Sequence, residues 1–406
     1  MNRNQLWFIS VGAGRWQTAG IRAAQDAGLK VLALDGDPDA PGLNVSDRSL
    51  IVDIADPDAV VKAVSDSGVS ASGAASFATE VGMRAVGALR DQLGLPGPGA
   101  GVLERLTDKS VQRQAWQDAG LANPNFWRAA DSVDACVEAI GAADEPVLVK
   151  PVDSAGSRGI THLPTNAGPE LCEHAARNAL SRSRTGRVIV ESVLPGREYT
   201  VETFANDGVT HVLTVTVKRK VAHTADTVAD ELATPDDGPE TLSVIADLAC
   251  RALEYVGYDE GPGHVEVMFA PETGPALIEA AGRGAGFLVF ERYVPLLSGF
   301  DILTATARQA VGLPVDVIQT GRGAGLIRFF PSRPGRVRSF TGFDEANACP
   351  GVEAGPFVKV GDRTSEATSD GDRLGYILAT ADTPPEARRL ADQAERLITF
   401  EIDSRG

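Results

Sequence analysis

The feature that most constrains this chain is a hairpin pattern that sets two glutamates face to face. His264-Val265-Glu266-Val267-Met268-Phe269 alternates as a strand does. Pro271-Glu272-Thr273-Gly274 has the composition of a turn, and Pro275 to Ala280 reads as the return strand. With Glu272-Thr273 at the centre of the turn, Glu266 stands opposite Glu279. Like charges facing each other across a ladder are destabilising, so the pattern implies a cation between them. Hard carboxylate oxygens without a set of His or Cys ligands suit Mg²⁺ or Mn²⁺. Gly282-Arg283-Gly284-Ala285-Gly286 follows at once, an arginine on a backbone nearly bare of side chains. A divalent ion beside such an arginine predicts phosphoryl transfer.

At 406 residues the chain exceeds one ordinary core, and two to four domains are expected. The net charge of −17 argues against a nucleic-acid partner, whose phosphates demand a basic surface. Cys136, Cys172, Cys250 and Cys349 lie far apart and form no zinc spacing, as expected of reduced thiols in a cytoplasmic protein. The first residues lack the apolar stretch of a signal peptide. No apolar run reaches membrane-spanning length, so no membrane partner is expected.

Strand and helix patterns alternate over residues 1–106: Leu6 to Val11, Thr18 to Ala27, Val31 to Leu34, Pro57 to Val64, Gly73 to Phe77 and Glu80 to Leu93. Such alternation predicts a doubly wound parallel sheet. A second unit, 107–192, opens on a helix with Thr107 as its expected N-cap and contains the strands Pro146 to Lys150 and Arg187 to Val193. A third, 193–320, carries strands at Glu198 to Phe204 and His211 to Lys218, a helix at Thr241 to Val256, and the glutamate hairpin. The last, 321–406, mixes short strands with a helix at Pro385 to Ile398. The expected class is therefore α/β and α+β multidomain. Gly321-Arg322-Gly323-Ala324-Gly325 repeats the run at 282–286, but only the first copy follows the glutamate strand, which assigns the chemistry to Arg283.

Val147-Leu148-Val149-Lys150 ends a buried strand on a lysine, and Ser154-Ala155-Gly156-Ser157-Arg158-Gly159 follows shortly after. Small residues let backbone N–H groups approach phosphate oxygens, with the lysine as a point charge; a flexible surface loop is the alternative. Lys109 falls in the first turn of a helix, where the dipole disfavours a cation unless a phosphate is bound. An exposed lysine beside Asp108 is the other possibility. The segment Glu191-Ser192-Val193-Leu194 before Pro195-Gly196 suits an adenine edge and Glu198 a ribose, or the two strands form an ordinary hairpin. Gly12-Ala13-Gly14 with Asp35 hints at a dinucleotide fingerprint but has Gln17 at its third position, which favours a plain tight turn. His264 shares the face of Glu266. Lys218-Arg219-Lys220 is either a local anion site or a solvated strand end.

These elements in this order resemble the ATP-grasp superfamily of carboxylate–amine ligases, and the part after 321 is similar to the biotin-carboxylase-like branch, particularly L-amino-acid (dipeptide) ligases. The resemblance implies an ATP-grasp fold with ATP and Mg²⁺ (or Mn²⁺) as cofactors. It implies nucleotide binding by Lys109, Lys150, Ser154, Gly156, Ser157, Gly159, Glu191, Val193, Leu194 and Glu198, metal binding by Glu266 and Glu279, and a phosphate-holding role for Arg283. Many members carry asparagine where this chain has Ala281. The implied activity joins a small-molecule carboxylate to an amine through an acyl phosphate, with ADP as product, in a homodimer. Arg283 and Lys150 are the expected catalytic residues, and Glu80, Lys218, Arg283 and Gly284 the expected substrate contacts, with an N–H near Gly284 as oxyanion donor. Bicarbonate activation, a catalytically silent ATP-binding regulator and a nicotinamide oxidoreductase are the alternatives.

Overall fold

A computed structural model describes residues 5–220 and 228–403. Near the N-terminus four parallel strands lie in the order Arg48–Ile51, Lys30–Asp35, Trp7–Val11, Ala71–Ala75. Alternate residues of the central strands enter two different cores. Ile9, Val11, Leu32 and Leu34 pack with Val60, Val64, Val86 and Leu89 of the helices Pro57–Asp66 and Met83–Leu93. Phe8, Val31 and Ala33 pack with Ile21, Ala24 and Ala307 of the helices Thr18–Asp26 and Ile302–Ala310. Helices thus cover both faces, as an all-parallel sheet requires.

The second sheet is antiparallel, in the order Trp127–Ala130, Val188–Ser192, Val147–Pro151, Thr161–Leu163. Two helices that the sequence pattern did not reveal, Val133–Gly141 and Pro169–Arg182, pack on it through Cys136, Ala139, Cys172, Ala175 and Ala179. A third sheet holds eight antiparallel strands: Gly274–Ala281, Gly261–Ala270, Arg197–Asn206, Val209–Lys220, Ala229–Ala233, Ala324–Pro331, Arg373–Ala381 and Val352–Pro356. It runs straight across the boundary expected at 320/321, where Leu232 pairs with Ile327. The C-terminal region is therefore joined to the preceding strands by a shared ladder, not by side-chain packing alone.

Period-two alternation gives the glutamate end of this sheet two unlike faces. Tyr199, Val201, Val265, Val267 and Leu277 pack on Ile245, Leu248 and Leu253 of the helix Pro239–Tyr255. The opposite face of these strands carries Glu198, Thr200, Glu202, His264 and Glu266.

One expected cap moves. Helix Lys109–Asp118 is capped by Asp108, whose Oδ1 accepts from the N–H groups of Ser110 (2.9 Å) and Val111 (3.2 Å). The Thr107 hydroxyl donates instead to Leu103 O at 3.0 Å, at the end of the short helix Ala100–Arg105.

Buried charge fastens the last helix, Pro384–Leu397, to the large sheet. Glu231, 1% exposed, accepts from Arg328 at 2.7 and 2.9 Å and pairs with Arg388 of that helix at 2.5 Å. Replacing Glu231 by Gln removes the countercharge of a buried guanidinium and should destabilise the protein by about 3 kcal/mol, the lower end for a broken buried pair because Asp392 and Glu395 still face Arg328. Urea unfolding of the variant beside the parent checks this; an unchanged midpoint would contradict it.

Candidate active site

Glu266 and Glu279 do face each other across the hairpin, by a route the sequence did not show. The turn is one residue longer than expected: Ala270 pairs with Gly274, leaving a three-residue loop. Gly274 takes φ +75, the left-handed conformation that closes such loops and that glycine adopts without steric cost. A bulge at Ile278 then restores the register, because Glu266 pairs with Glu279 while Val267 pairs with Leu277. The bulged Ile278 turns its carbonyl to Arg113, which donates at 2.5 Å.

Lysines lie beside both carboxylates. Lys218 Nζ lies 2.5 Å from Glu266 Oε1 and 2.5 Å from Glu198 Oε1, and Lys220 reaches the other oxygen of Glu198 at 2.6 Å. The expected basic cluster is thus paired within the sheet, and Arg219 points elsewhere, to Asp230 and Glu231. His264 stands between Glu202 (2.5 Å) and Glu266 (3.5 Å). Burial pushes the Glu266 carboxyl up, but Lys218 and His264 outweigh burial and hold it well below the usual range. Burial alone would lower His264, yet Glu202 and Glu266 raise it to about 9.

Lys109 is not the exposed lysine its sequence context allows. It is 3% exposed, its Nζ 3.0 Å from Glu279 Oε1 and 2.8 Å from the carbonyl of Ser154, at the start of the glycine-rich loop. Burial, Glu80 and Glu266 push the Glu279 carboxyl up against the pull of Lys109. One turn along the helix, Arg113 is fully buried and pairs with Glu191, whose other neighbour is Lys150 at 2.5 Å. Burial pushes Glu191 up, but Arg113 and Lys150 outweigh it and hold its carboxyl at about 2.

This corrects the expected hinge. The Glu191 carboxylate is spent on two cations, and its backbone lies between two paired strands. The Val193 N–H goes to Pro146 O at 3.1 Å, so free backbone donors begin no earlier than Leu194. A second correction falls at Gly284. Its N–H is given to Phe77 O at 3.0 Å and is not free to receive an oxyanion. Glycine is required there for another reason: a Cβ would sit 1.9 Å from the buried ring of Phe290. Arg283 bonds Glu80 at 3.0 Å, while its Nε is buried without a partner. Ser154 to Gly159 forms a loop in which Gly156, Ser157 and Gly159 all have positive φ. At the N-terminal turn, Asp35 accepts from the Ala13 N–H at 2.7 Å, so the dinucleotide hint resolves into a self-capped turn.

Sequence reasoning missed Arg113, Gln112 and Glu202. Gln112 bonds both backbone groups of Ala280 and so buttresses the outermost strand. A polar residue at every second position of Glu198-Tyr199-Thr200-Val201-Glu202 was the available signal for Glu202. No signal marked Arg113, a charged residue on a short polar helix.

The donor set fits a magnesium-type ion. Among the described residues no group of three or more His, Cys, Asp or Glu forms a self-sufficient metal cage. Mg²⁺ commonly takes one or two carboxylates and completes its shell with phosphates and water. Ala281, opposite His264 in the ladder, adds no oxygen ligand.

A family model of the ATP-grasp domain matches residues 143–291, which include the glycine-rich loop and both glutamates, and one of the L-amino acid ligase C-terminal domain 2 matches residues 328–403. The chain carries an ATP-grasp domain over residues 143–291 and has the ATP-grasp fold. This ATP-grasp chain is 27% identical over 98% of its length to a formate-dependent phosphoribosylglycinamide formyltransferase of Haloquadratum walsbyi, covering 96% of that protein. Among solved structures, an L-amino acid ligase from Bacillus licheniformis superimposes with a TM-score of 0.85 at 19% identity, covering 99% of this chain and 100% of that one. The biotin carboxylase domain of Hydrogenobacter thermophilus 2-oxoglutarate carboxylase, solved with MgADP and bicarbonate, gives 0.73 at 16% identity, covering 98% of this chain and 90% of that one. These structural likenesses show the fold. ATP-grasp enzymes use ATP and Mg²⁺. No helix among the described residues is long and apolar enough to cross a membrane.

Glu191→Gln should leave Arg113 and Lys150 buried without a countercharge and cost about 3–5 kcal/mol at neutral pH. The folded-state value lies below the 4.5 of an ordinary glutamate. The ion-pair contribution is therefore complete above about pH 4.5 and vanishes as pH falls through 2. Unfolding midpoints of parent and variant should converge on acidification; a constant gap would contradict the assignment.

Proposed function

We propose that this chain is an ADP-forming ligase that joins a carboxylate to an amine, both from amino acids or related metabolites. The observation that carries this is the half-buried Glu266–Glu279 pair, with Lys109 bonded to Glu279, Lys150 near enough to pull on its charge, and Arg283 held by the neighbouring Glu80. ATP is the phosphoryl donor. Mg²⁺ on Glu266 and Glu279 would neutralise charge on the phosphates. Lys109 and Lys150 are the point charges for the phosphate tail, with Ser154, Gly156, Ser157 and Gly159 closing over it to exclude water. Leu194 and Val193 border the base and Glu198 the ribose. The substrate carboxylate takes the γ-phosphate to give an acyl phosphate, and the amine then displaces phosphate at the carbonyl carbon. Arg283, whose buried Nε lacks an acceptor, is the donor for charge developing there.

Two observations support amino acids over a phosphate-bearing substrate. Asp35 occupies the N–H of Ala13 in the glycine turn, and Asp37 and Asp39 stand beside it, so a phosphate would meet negative charge. Beyond Arg283 the apolar residues Phe287-Leu288-Val289-Phe290 fall into two groups. Leu288, Val289 and Phe290 are core, whereas Phe287 stays half-buried against Trp16, their ring centroids 5.1 Å apart. An aromatic wall four residues from Arg283 suits an apolar side chain.

A phosphate-release screen with Mg²⁺ and ATP tests this, using amino acids singly and in pairs, with formate and bicarbonate in separate arms. Release that requires amino acids is expected; release that needs only formate or bicarbonate would overturn the substrate reading. Glu279→Gln should abolish ADP release while its circular dichroism stays that of the parent. Near-normal turnover in that variant would remove the metal claim.

A further inference from the structure

We infer that Lys109 and Lys218 are the resident counter-cations of the two metal carboxylates, so that a divalent ion enters this site together with nucleotide and not before it. The inference rests on Glu266 and Glu279 being the metal ligands proposed above. It adds positioning roles that the ligase reading does not contain.

The geometry is specific. Lys218 bonds the same Glu266 oxygen, Oε1, that His264 also approaches, and Lys109 bonds Oε1 of Glu279. These side chains are 4–20% exposed, too enclosed for water to screen them well. An ion arriving alone would have to sit beside two ammonium groups that already neutralise its ligands. Neither lysine has an obvious place to retreat. The other bonded partner of Lys109 is a neutral carbonyl, that of Ser154, and the second partner of Lys218 is Glu198, which already holds Lys220.

Nucleotide changes both sides of that balance. Phosphate oxygens offer ligands to the ion and acceptors to the displaced ammonium groups. Ion and nucleotide therefore favour each other's binding, and by linkage the coupling is reciprocal. Lys109 adds a mechanical link. It holds the Ser154 carbonyl as well as Glu279, so its transfer from carboxylate to phosphate keeps a charged donor attached to the start of the glycine-rich loop.

Mn²⁺ binding followed by electron paramagnetic resonance tests this on the full chain without turnover, both nucleotide-free and with a non-hydrolysable ATP analogue. The parent should bind Mn²⁺ weakly when nucleotide-free and form a ternary complex with the analogue that Glu279→Gln lacks. Lys218→Met should bind Mn²⁺ about tenfold or more tightly without nucleotide, the scale of removing one adjacent unit charge. Lys218→Arg should return to the parent value, which a merely structural role would not require. Equal nucleotide-free affinity in the parent and Lys218→Met would overturn the inference while leaving the ligase reading intact. Absence of a ternary complex in the parent would overturn the metal assignment itself. Should Lys218→Met fail to fold, Lys109→Met makes the same comparison at Glu279.

Discussion

Two carboxylates held opposite each other on adjacent strands are the constraint on which the rest of this structure depends. Left alone, the pair would repel and open the hairpin. The fold holds the register with the left-handed turn at Gly274, the bulge at Ile278, and the side chains of Arg113 and Gln112 that grip the bulged strand from the neighbouring helix. It offsets the charge with Lys109 and Lys218. Backbone geometry and electrostatics thus meet within a few residues, and one explains why the other is needed.

Around that point three sheets converge through ion pairs. Glu80, beyond the last strand of the parallel sheet, holds Arg283. Lys150 and Glu191 on the second sheet meet Arg113 of the helix beside the hairpin. Glu198 and Lys218, on the two strands next to the hairpin, complete the polar face. Buried pairs of this kind are weak evidence for stability. Their value here is positional, because each fixes a charged group to which the proposed reaction gives a role. The same sheet continues to the C-terminal helix, so the face that carries the glutamates shares a ladder with the region that matches the L-amino acid ligase model.

Much of this was legible in the sequence, and what was not has physical causes. The glutamate pairing was legible because alternation marks a face and a turn marks a register. It came out right although two offsets, a longer loop and a bulge, were invisible and happened to cancel. The helices Val133–Gly141 and Pro169–Arg182 escaped because their buried faces are largely Ala and Cys, a faint hydrophobic signal. Strand Arg48–Ile51 escaped because it is a mostly exposed edge held by backbone bonds to Lys30–Asp35. Burial of charge was the least legible property. Lys109, Arg113 and Glu191 carry nothing locally that separates a buried ion from a solvated one, since each is matched by a partner distant in sequence. The amide of Gly284 illustrates the same limit: composition shows a bare backbone, and only the tertiary contact with Phe77 shows that its N–H is taken.

The most direct measurement is a crystal structure of the protein with magnesium and a non-hydrolysable ATP analogue. The account predicts density for a divalent ion shared by Glu266 and Glu279, the triphosphate lying against it, and the ammonium groups of Lys109 and Lys218 moved off those oxygens. A triphosphate bound elsewhere, with both glutamates still paired to their lysines and no ion between them, would contradict it.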